Sequence, residues 1–277
     1  MPGLIVIEPF GGLGNRMRVI VSAIALSKSL GKDLKVIWKT GEDLKCSFNR
    51  LFEPINNVNI VQENVGTIYS SFNKSWIKRK TIQAINLLNG FNLVVHEQDH
   101  SIVFADDATA RKILQTYTNV YIRSCEHFYL ADNDWTVFAP IQQLRIVIDD
   151  LIQNFKPNIV GVHIRRTDNY KSIQVSSLDK FIELLNDHSI KQCFLATDDP
   201  LVLHELSSRI ADNRLIIYSK EFTRSTEKGV QDALIELFCL ANCSKIYGSY
   251  WSSYSEVASY LQNKELIIVG SRPDIAG

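Results

Sequence analysis

Residues 159–168 read IVGVHIRRTD, Ile159 to Asp168, and the fold class turns on them. Ile159, Val160, Val162 and Ile164 make a short β-branched run, the pattern of a strand buried on both faces of a parallel sheet. Arg165, Arg166, Thr167 and Asp168 follow at its carboxyl end. Ligands of open α/β sheets sit outside the carboxyl ends of the strands. Two guanidiniums there suit phosphate or carboxylate, because the planar fork meets such oxygens two at a time. A salt-bridged strand end is the plain alternative.

Toward the C-terminus, strands and helices alternate. Leu178–Asn186 reads as a helix, Cys193–Ala196 as a strand ending in Thr197-Asp198-Asp199-Pro200, and Leu201–Ile210 as a helix. Arg214–Tyr218 is a strand, Gln231–Asn242 a helix, and Lys245–Tyr247 a strand. The loop Gly248–Ser253 leads into helix Tyr254–Leu261, and Leu266–Val269 is a last strand. This alternation predicts an α/β fold with a doubly wound parallel sheet. The polar clusters all follow strands, so they converge on one edge. The loop before Tyr254 offers N–H groups, hydroxyls and a helix start to an anion, although a serine there is more often a simple cap.

Toward the N-terminus, Pro140 reads as the first residue of a helix reaching about Phe155, a connector between two domains, 1–140 and 141–277. At the start of the chain, Leu4–Ile7 is a strand, Gly11–Asn15 a loop, and a helix runs from about Arg16 to Leu30, stopped by Gly31. Strand, glycine loop and helix let backbone N–H groups approach an anion. The dinucleotide fingerprint fails, because Met17 stands where a third glycine is needed and the second strand, Leu34–Trp38, ends in Lys39 rather than an acid.

The middle is less regular. Phe48, Leu51 and Phe52 suggest a short helix, Val58–Val61 a strand, Trp76–Leu88 an amphipathic helix and Asn119–Arg123 a strand. The basic cluster Lys74, Lys78, Arg79 and Lys80 reads as a solvated face. His96-Glu97-Gln98-Asp99-His100 spells the H-E-x-x-H of zinc proteases. Its context is wrong, since Asn92–Val95 before it and Ile102–Phe104 after it both look β-like.

Apolar residues make up 45% and charged residues 22% of the 277, enough for a core and too ordered a composition for disorder. Thirty Lys+Arg balance thirty Asp+Glu, which gives no electrostatic footprint for nucleic acid. Five scattered cysteines, Cys46, Cys125, Cys193, Cys239 and Cys243, fit a reducing compartment and complete no zinc set. No apolar run is long enough for a membrane span, and the first residues lack a basic leader. A soluble, cytoplasmic protein is expected.

VGVHIRRTD, FLATDDP and GSYWSSYSEVA, in this order and spacing, resemble the fucosyltransferase superfamily. The closest likeness is to the α-1,6-fucosyltransferases of the rhizobial nodulation and animal core types. PFGGLGNRM resembles the G-G-x-G-N loop of α-1,2- and protein O-fucosyltransferases. The likeness is dense over Ile159–Tyr260 and confined to that one loop before it. It implies a GT-B-like fold: two Rossmann-like doubly wound domains facing a cleft, with the nucleotide-sugar on the C-terminal domain and the acceptor on the N-terminal one. It implies inverting transfer of L-fucose from GDP-fucose to a glycan hydroxyl, with no metal and no further cofactor. A nucleotide- or glycan-binding protein of the same fold without turnover is the alternative.

Chemistry and likeness together assign roles. Arg165 would neutralise charge growing on the departing β-phosphate. His163 would lie against the nucleotide, Arg166 would pair with Asp168 or a phosphate, and Ser252 and Ser253 would hold phosphates. Asp198 and Asp199 would order the donor loop, with a helix cap before Pro200 as the plain reading of the pair. Guanine offers N1–H and an amino group on one edge, which a carboxylate accepts; Glu236 matches the family's acid, and Asp232 is the fallback. Gly14 and Asn15 would approach from the other domain. The family's acceptor-side Glu and Lys are Ile173 and Asn169 here, so the catalytic base is not carried over. Asp168 and Glu8 are the candidates.

Overall fold

The computed structural model describes residues 2–63, 76–88, 90–96, 99–167, 170–187, 189–210 and 214–270. The chain divides into two units, Met1–Ala139 and Pro140–Gly277. In the first, strand β1 is Leu4–Pro9, helix α1 Leu13–Leu30, β2 Asp33–Lys39 and β3 Val58–Glu63. Helix α2 is Trp76–Leu88, β4 Leu93–Val95, α3 His100–Val103, α4 Asp107–Leu114 and β5 Asn119–Ser124. The five strands lie in the order β3-β2-β1-β5-β4, and every pairing is parallel. Ile5, Val6 and Ile7 are buried on both faces of the sheet, as a continuous apolar run in a parallel sheet requires.

Helix α1 is buried on nearly every side rather than along one stripe. It starts at Leu13, three residues before the expected start, with Gly12 as its extended cap. Gly31 closes it in the left-handed region (φ 61°), with Lys32 N donating to Ser27 O at 3.0 Å.

The second unit carries α5 Gln142–Ile152, β6 Val160–Ile164, α6 Tyr170–Val175, α7 Leu178–Asn186, β7 Cys193–Thr197 and α8 Pro200–Arg209. Strand β8 is Leu215–Ile217, α9 Glu227–Ala241, β9 Lys245–Gly248, α10 Ser253–Leu261 and β10 Leu266–Ile268. The order is β10-β9-β6-β7-β8, again all parallel. From β6 the chain steps outward through β7 and β8, then returns to the other flank for β9 and β10. This is the Rossmann order, and the direction reverses between β6 and β9. The α/β class expected from the sequence, with two Rossmann-like units, is thus present as two parallel five-stranded sheets.

All five residues of β6 are buried. Val160, Val162 and Ile164 pack with Phe181 and Leu185 of α7 and Val202 and Leu206 of α8. The alternate residues face the other way: a side chain at Gly161 would meet Leu240 of α9 at 3.0 Å and Cys243 at 3.3 Å, and His163 meets Ser255 of α10.

Three local expectations are corrected. Ile102–Phe104 is not β-like: His100–Val103 is helical, and α4 follows where no element was expected. Asp106 explains the second helix, because its carboxylate accepts from Thr109 N at 2.8 Å as an N-cap. Pro140 does not open α5, whose cap is Ile141. Helix α9 begins at Glu227, four residues before the expected start, because Thr226 caps it by accepting from Gly229 N at 3.0 Å.

Gly229 itself is forced by a close approach, since a Cβ there would sit 1.9 Å from Thr223 O. Gly to Ala inside a helix ordinarily stabilises by up to about 1 kcal/mol. Here Gly229→Ala is expected to destabilise by about 2 kcal/mol, read as a lower midpoint in urea unfolding.

Candidate functional site

The reversal between β6 and β9 puts two loops side by side. Ser249 N, just past β9, donates to His163 O at 3.1 Å, and Ser249 Oγ accepts from Arg165 N at 3.0 Å. Asp198, just past β7, holds the same loop from the other flank. Its Oδ1 accepts from Arg166 N at 2.7 Å and its Oδ2 from Thr167 Oγ1 at 2.8 Å. The backbone carrying Arg165 is therefore clamped by both neighbouring strand ends, with the Arg165 side chain half-buried at the edge.

Arg166 is turned to another use. Its guanidinium donates to Arg165 O at 3.1 Å and Ser176 O at 2.7 Å and lies over Phe181. Burial lowers its pKa, against the pull of Asp198 and Asp199. Asp168, its expected partner, lies outside the described residues. Ser176, between α6 and α7, gathers further ties: its Oγ donates to Val269 O at 2.6 Å and accepts from Tyr250 N at 2.8 Å. Asp199 is the helix cap, accepting from Leu201 N at 2.9 Å with Pro200 as the first residue of α8.

His163 is 5% exposed. Its Nδ1 lies 2.7 Å from Ser255 Oγ and 3.4 Å from Ser252 Oγ, and its ring is 4.7 Å from that of Tyr254. Burial, helped by Arg165 and Lys220 and opposed by Asp198, pushes its pKa down to about 3. A neutral imidazole follows at physiological pH, a hydrogen-bonding group rather than a cation. Ser252 caps α10 without using its side chain on the helix, and Ser253 opens the first turn half-buried.

The acids of α9, Asp232 and Glu236, sit one turn apart and are 1% and 3% exposed. Asp232 is saturated: it accepts from Tyr218 Oη at 2.8 Å, Glu221 N at 3.0 Å and Lys228 Nζ at 2.9 Å. Glu236 pairs with Lys220, whose Nζ also donates to Thr197 O at 2.6 Å. Burial raises the Glu236 pKa to about 7, with Lys220 opposing the rise. Lys220 was missed in the sequence. It follows β8 and so sits at the ligand-bearing edge, but a lone lysine after a short strand is no signal without its partner.

The first unit has its own edge. Gly11 is left-handed (φ 79°), and a Cβ there would press on Asn15 Nδ2 at 2.8 Å. Gly14 and Asn15 lie in the first turn of α1. Arg16, also missed, is 3% exposed beneath this loop. It donates to Gly11 O at 2.8 Å and Lys39 O at 2.5 Å and lies over Trp38, and burial lowers its pKa to about 10. Glu8 is buried among three donors: Lys39 Nζ at 2.7 Å, Arg123 Nε at 3.3 Å and Tyr121 Oη. An anchoring anion is the occupation these contacts give it.

His96 follows β4 and His100 opens α3, so the two do not share a helix; Glu97 and Gln98 lie outside the described residues. Among the described residues no three His, Cys, Asp or Glu cluster as a metal would require, and no helix is long and apolar enough to cross a membrane.

The chain aligns with solved structures over nearly its whole length. A NodZ fucosyltransferase from Bradyrhizobium matches over 94% of this chain and 92% of its own at 18% identity, with a TM-score of 0.65. The fold is that of fucosyltransferases. A variant of FUT1 from Arabidopsis thaliana in complex with GDP shares it over 99% of this chain and 72% of its own, at 14% identity and a TM-score of 0.60. POFUT1 in its apo form shares it over 97% of this chain and 98% of its own, at 13% identity and 0.55. No family model matches the chain, and no curated protein matches it in sequence. What joins this chain to the fucosyltransferase fold is thus its course in space far more than its residues.

Proposed function

We propose that this chain transfers L-fucose from GDP-fucose to a glycan hydroxyl with inversion, the second unit holding the donor and the first serving the acceptor. The observation that carries the reading is the clamped Arg165 at the point where the second sheet reverses, where open α/β sheets bind their ligands. NodZ soaked with GDP-fucose has this fold, at 19% identity and a TM-score of 0.60, which supports the donor class.

In this reading Arg165 meets the charge that builds on the β-phosphate as the sugar bond breaks. A fixed cation stabilises that state because it needs no reorganisation when the charge arrives. Ser252 and Ser253 hold phosphate oxygens at the start of α10, where N–H groups favour anions. His163 stays neutral and orients against the nucleotide. Glu236 accepts from the guanine edge, and the saturated Asp232 is its support rather than its substitute. Asp198, Asp199 and Arg166 brace the donor loop, and Gly14 and Asn15 border the acceptor side. Asp168 is the base in this scheme, because the Glu8 carboxylate is committed to Lys39, Arg123 and Tyr121. No metal enters it, since Arg165 does that work.

The test is a thermal-shift series with GDP-fucose, UDP-, CDP- and ADP-sugars, followed by assay of free fucose. GDP-fucose at a hundred times its Kd should stabilise the protein by about 2.7 kcal/mol, and slow release of fucose should accompany it. Stabilisation by another nucleotide-sugar in its place would overturn the donor assignment.

A further inference from the structure

We infer that Lys220 sets the nucleobase selectivity of the second unit through its buried ion pair with Glu236. The inference rests on the guanine-nucleotide reading above and adds a residue to it. The ammonium and the carboxylate are 8% and 4% exposed, so both charges are out of water. Lys220 also donates to Thr197 O, the last residue of β7, at 2.6 Å. That bond fixes the ammonium to the sheet edge instead of leaving it to follow the carboxylate.

The other groups that act on Glu236 work against its charge. Asp232 lies on the same helix and Asp198 past β7, and both raise its pKa, as burial does first of all. Tyr218 past β8, Cys239 on α9 and Tyr254 from α10 are neutral neighbours whose own pKa values are raised, first by burial and also by Glu236. Among these described groups Lys220 is the cation. Glu236 therefore titrates near neutral pH, with Lys220 favouring the carboxylate against burial, Asp232 and Asp198. Without Lys220, burial, Asp232 and Asp198 all favour the protonated acid.

The distinction matters for the base. Guanine presents two donors, N1–H and the 2-amino group, and a carboxylate accepts both in charge-assisted bonds. A protonated carboxyl must spend one oxygen as a donor, which faces a donor and is repelled. Hypoxanthine lacks the amino group, so it measures how much of the selectivity the second acceptor supplies. A site built to bond a polar group rejects the analogue that lacks it. Lys220 is a positioning residue here, acting through Glu236 and not on the base.

The experiment is isothermal titration of the whole chain with GDP, IDP and UDP from pH 6 to 9. Wild type should bind GDP at least tenfold better than IDP at pH 8, with the ratio collapsing as pH falls through the Glu236 transition. In Lys220→Met that transition should move up by at least one pH unit, and GDP should weaken about tenfold at pH 7.5 while IDP changes less. Lys220→Arg should keep the wild-type profile. Equal weakening of GDP and IDP at every pH in Lys220→Met would mark Lys220 as merely structural and overturn the inference. A flat GDP-to-IDP ratio in wild type overturns it without any variant. If UDP binds as well as GDP, the donor reading falls and takes this inference with it; if GDP wins but the ratio ignores pH, the inference alone fails.

Discussion

Arg165→Ala is expected to lower turnover of GDP-fucose about a thousandfold, with GDP binding reduced far less. The asymmetry follows from when the charge appears. In the proposed reaction the β-phosphate gains charge as the sugar bond lengthens, so the guanidinium would stabilise the transition state more than the bound donor, and its loss would fall on kcat. Arg165→Lys should recover only part, because an ammonium is a point charge and cannot present two parallel N–H groups. The fold should survive either change. Loop geometry is held by Ser249 on Arg165 N and by Asp198 on Arg166 N and Thr167 Oγ1, all of which use backbone or neighbouring groups. Single-turnover assays of fucose release, beside titration with GDP, separate the two effects. Wild-type release by the alanine variant would sink the proposed role.

Glu8→Gln should act on stability instead, destabilising the first unit by about 3 kcal/mol. The carboxylate gathers Lys39 from β2 and Tyr121 and Arg123 from β5, so it ties the three central strands of that sheet at their carboxyl ends. An amide keeps the shape but removes the charge that two partly buried cations, Lys39 and Arg123, meet at this position. Such loss is costly because the cations were desolvated in expectation of a partner. Calorimetry should show the transition of the first unit lowered by about 10 °C. A variant that keeps the wild-type melting temperature and loses transfer completely would return Glu8 to the role of catalytic base.

The alternation of the second unit was legible because its strands are short, unbroken apolar runs closed by strong signals. Asp199-Pro200 marks the start of α8, and Gly248 closes β9. Arg165 could be picked out because it stands at the end of the central strand, where register alone dictates what it faces. Long-range partnerships were not legible. Lys220 meets a carboxylate sixteen residues away, and Arg16 meets a carbonyl twenty-three away. No periodicity encodes either contact. In the sequence Glu8 is only a candidate base, and the register of β1 with β5, which sets it opposite Arg123, reveals its company. Helices α3 and α4 were missed because β-branched residues at Ile102 and Val103 suggested a strand, while the decisive feature was the Asp106 cap.

Ser176 ties three loops at one edge: it receives Arg166 on its carbonyl and Tyr250 on its hydroxyl, and it gives its own proton to Val269. A surface so cross-braced before any ligand arrives has little left to freeze on association. The entropy of ordering those loops is lost once, during folding, and not again at each encounter. Under the proposed function, donor capture on this edge is accordingly that of a rigid receptor, whose affinity reflects complementarity more than rearrangement.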